Sequence, residues 1–173
     1  STLLIELLQT LCHLPKQGQI LDLGCHHGFF LKEFQEHFPQ WTLWGYEPEY
    51  RPSDYRVQFL PDSHFYTGKI HSIPQKFDLI TLIQVFEHIE HPDQLLQEIK
   101  ALLNQETLIL VNVPNMSTNP FELVVADHDF HYSLHTLLSM LNRWGFEVLT
   151  LTQHHIPKEL SAICCLSDIP LSP

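Results

Sequence analysis

Basic residues are scarce in this chain. Nine Lys and Arg face twenty Asp and Glu, a formal net charge of -11 that no basic run relieves. A nucleic-acid partner is therefore not expected, because holding a phosphate backbone takes clustered cations. No apolar run reaches the roughly 18 residues that a membrane helix requires, and Ser1 is not followed by a charged-then-apolar leader. A soluble, cytoplasmic protein with no membrane partner is the expectation. The four cysteines, Cys12, Cys25, Cys164 and Cys165, form no C-x-x-C pair, so neither a disulfide framework nor a thiolate zinc site is indicated. Glycine is sparse too. Six are present, and no G-x-G-x-x-G can be drawn through them, which argues against NAD or FAD.

What the 173 residues do contain is an alternation of helix and strand patterns, with 44% hydrophobic residues to fill the core of one domain spanning residues 1–173. Leu3, Leu4, Leu7, Leu8 and Leu11 recur at helical spacing, predicting a helix over 2–13 ahead of Pro15. Strands are predicted at 19–23, 41–47 and 77–83, with a short one at 64–67. Helices are expected at about 27–38 and at 93–103, the second opened by Pro92. Three prolines make 48–63 a loop. A further strand at 107–113, a helix at 133–144 closed by Gly145, and strands near 146–152 and 160–166 complete the pattern. Continuous apolar strands separated by helices imply a parallel sheet buried on both faces, an α/β fold.

The segment Ile20-Leu21-Asp22-Leu23-Gly24-Cys25-His26-His27-Gly28 is the most informative. An apolar strand runs into a glycine turn and then a helix, whose first N–H groups face any ligand above them. It resembles motif I of class I S-adenosylmethionine (SAM) methyltransferases, acidic-x-Gly-x-Gly-x-Gly, with His26 in place of the middle glycine. Three more segments carry the resemblance in order. Trp44-Gly45-Tyr46-Glu47-Pro48 resembles the end of the family's second strand, Phe77-Asp78-Leu79-Ile80 with Gln84-Val85-Phe86-Glu87-His88-Ile89 its "FDlI…lEHi" segment, and Val113-Pro114-Asn115 the turn after its fifth strand. The resemblance implies a Rossmann-like seven-stranded, mostly parallel sheet flanked by helices, with SAM as cofactor. It also implies cofactor contacts from Asp22, Gly24, Cys25, His26, Gly28, Glu47, Pro48, Gln84 and Phe86. Glu47, about twenty residues past the turn, has the spacing of a ribose contact. Lys69-Ile70-His71 departs from the family, where many relatives carry a carboxylate for adenine, so stacking and backbone contacts are expected to hold that ring. An Asn/Asp-Pro-Pro-aromatic motif, the mark of nucleic-acid methylation, is absent; Gln84-Val85-Phe86-Glu87 stands in its place.

Asp127-His128-Asp129-Phe130-His131-Tyr132-Ser133 concentrates the remaining chemistry in a loop ahead of a helix. Ser133 reads as the helix cap. The segment partly resembles the sugar C-methyltransferase signature "HEHxxYFS", with Ala126 at the first histidine. A looser pattern through His128, Leu134, Leu138, Gly145 and Phe146 resembles small-molecule methyltransferases generally, quinone O-methyltransferases included. Methyl transfer needs in-line positioning and, for a hydroxyl or acidic carbon, a base. Histidine suits that role near neutrality, and the expected assignment is His128 oriented by Asp127, with His88 second. The equally weighted alternative is a loop whose polar groups only satisfy backbone.

Two other function classes stay in view. Thirteen histidines, with His88/His91 and His128/His131 spaced three apart, raise a metal-binding protein, but there is no H-E-x-x-H or Cys/His array, and no metal site is assigned. His26 and the small substrate apparatus raise a non-catalytic methyltransferase-like module. On either methyltransferase reading, a homodimer contact or a partner domain is a candidate to complete the pocket for a small-molecule acceptor, sugar or quinone-like.

Overall fold

The computed structural model describes residues 2–48, 60–61 and 64–167. In chain order these form α1 (Thr2–Leu11), β1 (Gln19–Leu23), α2 (Phe29–His37), β2 (Thr42–Tyr46), β3 (Phe65–Tyr66), β4 (Phe77–Ile83), α3 (Pro92–Lys100), β5 (Leu103–Pro114), α4 (Leu134–Arg143), β6 (Phe146–Thr152) and β7 (Glu159–Leu166). One seven-stranded sheet results, in the order β3-β2-β1-β4-β5-β7-β6. The β1–β2, β1–β4, β2–β3 and β4–β5 ladders are parallel, and β7 runs antiparallel to both β5 and β6. The mostly parallel α/β sheet implied by the sequence is the one observed.

Side chains alternate across each strand, so the two sheet faces build two cores. Leu21 and Leu23 of β1, Ile80 and Leu82 of β4, and Ile109, Val111 and Val113 of β5 join Leu96 and Ile99 of α3 and Leu137 and Leu141 of α4. Ile20, Leu79 and Leu110 point the other way, against Leu4, Ile5 and Leu8 of α1 and Phe30, Leu31 and Phe34 of α2. Phe34 is fully buried, and its truncation to Ala carries the usual cost of about 3 to 5 kcal/mol for a large core side chain.

Boundaries moved where the backbone had a local reason. α2 starts at Phe29, two residues late, because Gly28 is left-handed at φ 70°. α3 ends at Lys100 and β5 begins at Leu103, four residues early. Leu103 pairs with Phe77 across a register shift, and Thr107 Oγ1, donating to the Phe77 carbonyl at 2.6 Å, holds that irregular stretch on the sheet. Ser133 caps α4 as expected: its side chain accepts from the Thr136 N–H, and its own N–H donates to Thr136 Oγ1 at 2.9 Å. The loop expected over 48–63 lies almost wholly outside the described residues.

Candidate functional site

In a parallel sheet the strands deliver their carboxyl ends to one edge, and open α/β folds bind ligands there. β1 ends at Leu23, and the chain turns through Gly24 at φ 75° and His26 at φ 46°. Gly24 is required twice over: a side chain would be strained at that φ, and a Cβ would stand 2.6 Å from Val85 Cγ2. Gly28 is also needed for its backbone, as the left-handed residue that opens α2, rather than only for close helix packing. The N–H groups of Gly24 and Cys25 donate to the Tyr46 carbonyl at 2.8 and 3.1 Å, and that of His26 donates to Glu47 Oε2 at 3.1 Å. The turn after β1 is thus tied to the end of β2.

A cleft of about 960 Å³ opens above these strand ends. Of the expected cofactor residues, Gly24, His26, Glu47, Pro48 and Gln84 line it, as do His88 and Asp127 from the expected catalytic set. Ile70, Val85, Ile89 and Asp129, quoted within sequence motifs but given no role there, also line it, as does Leu95, an ordinary apolar residue that no motif contains.

Four expected cofactor residues, Asp22, Cys25, Gly28 and Phe86, lie outside the cleft wall. Asp22 sits beneath the turn, 4% exposed, and accepts from Thr81 Oγ1 at 2.6 Å. Burial pushes its carboxyl up to about 7, opposed by the Thr81 hydrogen bond and reinforced by the Glu47 charge. Cys25 is buried, and that burial drives its thiol well above the usual range, making it packing rather than a nucleophile. Phe86 is fully buried in the α3/α4 core. The 3-10 turn Phe86–His88 rolls this ring inward, so a side-chain contact with a ligand in the cleft is ruled out.

The acceptor-side histidines pair differently from expectation. Asp127 faces His88: its carbonyl lies 2.8 Å from His88 Nδ1 and its carboxylate 3.7 Å. His128 turns away from Asp127 toward Glu122, with Nδ1 2.8 Å from Oε2 and both side chains 11% exposed. That contact has hydrogen-bond distance without hydrogen-bond geometry, since neither atom has a hydrogen-bond partner among the described residues. Asp127 thus contacts His88 and not its chain neighbour. His128 does not line the cleft, and the orienting role assigned to Asp127 applies to His88 instead. Tyr132 is buried with its hydroxyl donating to the Phe86 carbonyl at 3.4 Å, a structural role.

Glu87, quoted in the sequence motif but given no role there, lies under this group. It is 1% exposed, neither carboxylate oxygen has a hydrogen-bond partner among the described residues, and burial pushes its carboxyl up to about 7. Its carbonyl accepts from the N–H of Asp129 at 2.7 Å and of Phe130 at 3.2 Å, fastening the 127–131 loop to the turn after β4. The i, i+3 histidine pairs are not what the fold gathers. Among the described residues, Glu87, His88 and His128 place ligand-type atoms within 4.8 Å of one another.

Solved structures share this fold at low identity. Human N-acetylserotonin methyltransferase, solved in complex with SAM, superposes with a TM-score of 0.74 at 15% identity, over 94% of this chain and 51% of that one. A SAM-dependent methyltransferase from Clostridium acetobutylicum gives 0.70 at 14% identity, over 96% of this chain and 90% of that one. Among curated relatives, a ubiquinone biosynthesis O-methyltransferase of Actinobacillus pleuropneumoniae is 26% identical over 116 residues, 67% of this chain and 45% of the relative. One of the same name from Glaesserella parasuis is 29% identical over 56 residues, 32% of this chain and 24% of the relative. The chain therefore spans less than half the length of the curated relatives it matches. The family described as a methyltransferase domain matches residues 1–151, and the chain belongs to that family.

Proposed function

We propose that the cleft binds S-adenosylmethionine and that the chain transfers its methyl group to a small-molecule acceptor. The observation that carries this reading is the convergence of the Gly24–Gly28 turn and the Glu47 carboxylate on one cleft at the strand ends. On this reading Glu47, in the cleft wall, accepts from ribose hydroxyls, and the apolar stretch of Ile70, Val85 and Leu95 suits an adenine ring held by packing. Gly24, His26 and Gln84 stand nearer the methionine portion on this reading. Asp22 acts from beneath, shaping the turn.

SAM supplies the leaving group and a positive sulfonium, so the protein's part is placement and electrostatics. Among the described residues, the cleft wall carries Glu47, Asp127 and Asp129 and no Lys or Arg, a field that favours a cationic ligand. In the sheet order, β1 stands between β2, which leads to Glu47, and β4, which leads to His88. The acceptor accordingly approaches from the His88 side. Held by Asp127 at Nδ1, His88 offers its other nitrogen to an acceptor hydroxyl. A second cavity of about 400 Å³ shares Ile83 and Gln84 with the cleft and adds Asn112 and Glu159, whose side chains form a chain of hydrogen bonds with Gln84 at 2.8 and 3.0 Å. A polar wall of this kind suits a sugar- or quinone-like acceptor carrying hydroxyl or carbonyl groups.

The test is calorimetric titration with SAM and with S-adenosylhomocysteine, its demethylated product. Saturable one-to-one binding of both is expected. No binding at millimolar ligand overturns the reading and leaves the non-catalytic module.

A further inference from the structure

Glu87, His88 and His128 are brought together from two separate segments, the turn after β4 and the loop after β5. One carboxylate oxygen and two imidazole nitrogens lie within 4.8 Å of one another. Glu87 is 1% exposed, and neither of its oxygens has a hydrogen-bond partner among the described residues. Buried carboxylates are otherwise paired or hydrogen-bonded, so this one is missing a partner. A second unsatisfied carboxylate oxygen stands beside the group, Glu122 Oε2 at 2.8 Å from His128 Nδ1, and that nitrogen is itself without a hydrogen bond.

We propose that Glu87, His88 and His128, with Glu122 beside them, form a binding site for one divalent transition-metal ion of the zinc or manganese type. A cation supplies what the geometry lacks, one positive centre shared by carboxylate oxygens and imidazole nitrogens that have no donors of their own. Two imidazoles select against magnesium and calcium, which take oxygen ligands, and the absence of cysteine removes the softest metals. His88 already has its Nδ1 held by the Asp127 carbonyl, the outer contact that fixes a ligating ring; with the ion bound, the other nitrogen serves as its ligand in place of taking an acceptor proton. The ion clips the 127–131 loop to the turn that lines the cleft. Its place at the acceptor side of the cleft rests on the methyl-transfer reading above. The site itself does not, because testing it requires no cofactor.

The experiment is titration of untagged, chelator-stripped protein with Zn²⁺, Mn²⁺ and Mg²⁺, followed by calorimetry and thermal melting. One ion per chain is expected, Zn²⁺ and Mn²⁺ binding well ahead of Mg²⁺. Glu87→Gln and His128→Ala should each weaken it by at least about tenfold, the low end of what even supporting residues contribute, while His91→Ala, outside the cluster, leaves it intact. Glu87→Gln gives a second reading of opposite sign. Without metal it should melt higher than wild type, since an uncompensated buried carboxylate is gone, yet it should lose the metal-induced rise. If wild type has no site tighter than millimolar, or if folded Glu87→Gln binds as wild type does, the proposal fails, and Glu87 is simply a buried neutral acid. Equal weakening by His91→Ala also overturns it, as scattered binding to surface histidines.

Discussion

His88 Nδ1 lies 2.8 Å from the Asp127 carbonyl, whereas His128, the next residue along the chain from Asp127, faces Glu122. The histidine held at the cleft is therefore His88. His88→Ala should leave S-adenosylhomocysteine binding nearly intact and lower turnover on an identified acceptor by about 10² to 10⁴-fold, the usual size of a general-base contribution. The loss is expected whether the ring takes the proton itself or holds an ion. Steady-state kinetics of His88→Ala with full turnover would remove the ring from the reaction altogether. A His88→Ala protein that loses cofactor binding and melting temperature along with turnover would show that the ring only holds the loop.

Glu47 does two things in the structure. It accepts the His26 N–H at 3.1 Å and walls the cleft where a ribose is proposed to lie. Glu47→Ala should weaken S-adenosylhomocysteine by about 1 to 3 kcal/mol, the value of charge-assisted hydrogen bonds lost without replacement. Glu47→Gln, which keeps an acceptor but not the charge, should fall between. Calorimetry giving wild-type affinity for Glu47→Ala would place the ribose elsewhere.

How far the sequence carried this reading depended on how local each feature was. β1 and β4 fall on the predicted residues because continuous apolar runs flanked by turn formers need little context. The start of α2 was missed by two residues because two left-handed residues in the turn, His26 and Gly28, delay the helix, and nothing in His26 announces a positive φ. The place of Glu47 at the cleft was legible from the family resemblance together with its spacing from the glycine turn. The His88–Asp127 and His128–Glu122 pairs were not: each depends on which way side chains leave a turn and on the meeting of loops after β4 and β5. Phe86, central in a recognisable motif, proved to be core, since a motif specifies a segment and not which of its side chains face the ligand.

His26 is exposed, lines the cleft and holds φ 46°. Left-handed backbone costs a side-chain-bearing residue about 1 to 2 kcal/mol, and glycine relieves that at some cost in chain entropy. His26→Gly should therefore fold with equal or slightly greater stability. It should weaken S-adenosylhomocysteine by about 1 kcal/mol, the loss of one hydrogen bond from the ring to the methionine carboxylate. Tighter binding in the calorimeter would show instead that the imidazole crowds the ligand.

Asp22 makes stability depend on pH. Burial pushes its carboxyl up to about 7 in the folded chain, well above the ordinary carboxylate range of about 4, because it penalises the charged form more than the Thr81 hydrogen bond rescues it. Between those values the folded protein keeps a proton that the unfolded chain has released, so each rise in pH favours unfolding. The contribution is full below about pH 4 and is lost as the pH rises through about 7. Thermal melts of the ligand-free protein should fall steadily from pH 5.5 to 8. Asp22→Asn has no proton to lose, so its melting temperature should drop less over the same range. Parallel curves for the two proteins would mean that Asp22 is ionised in the fold, held by Thr81 more strongly than burial opposes it.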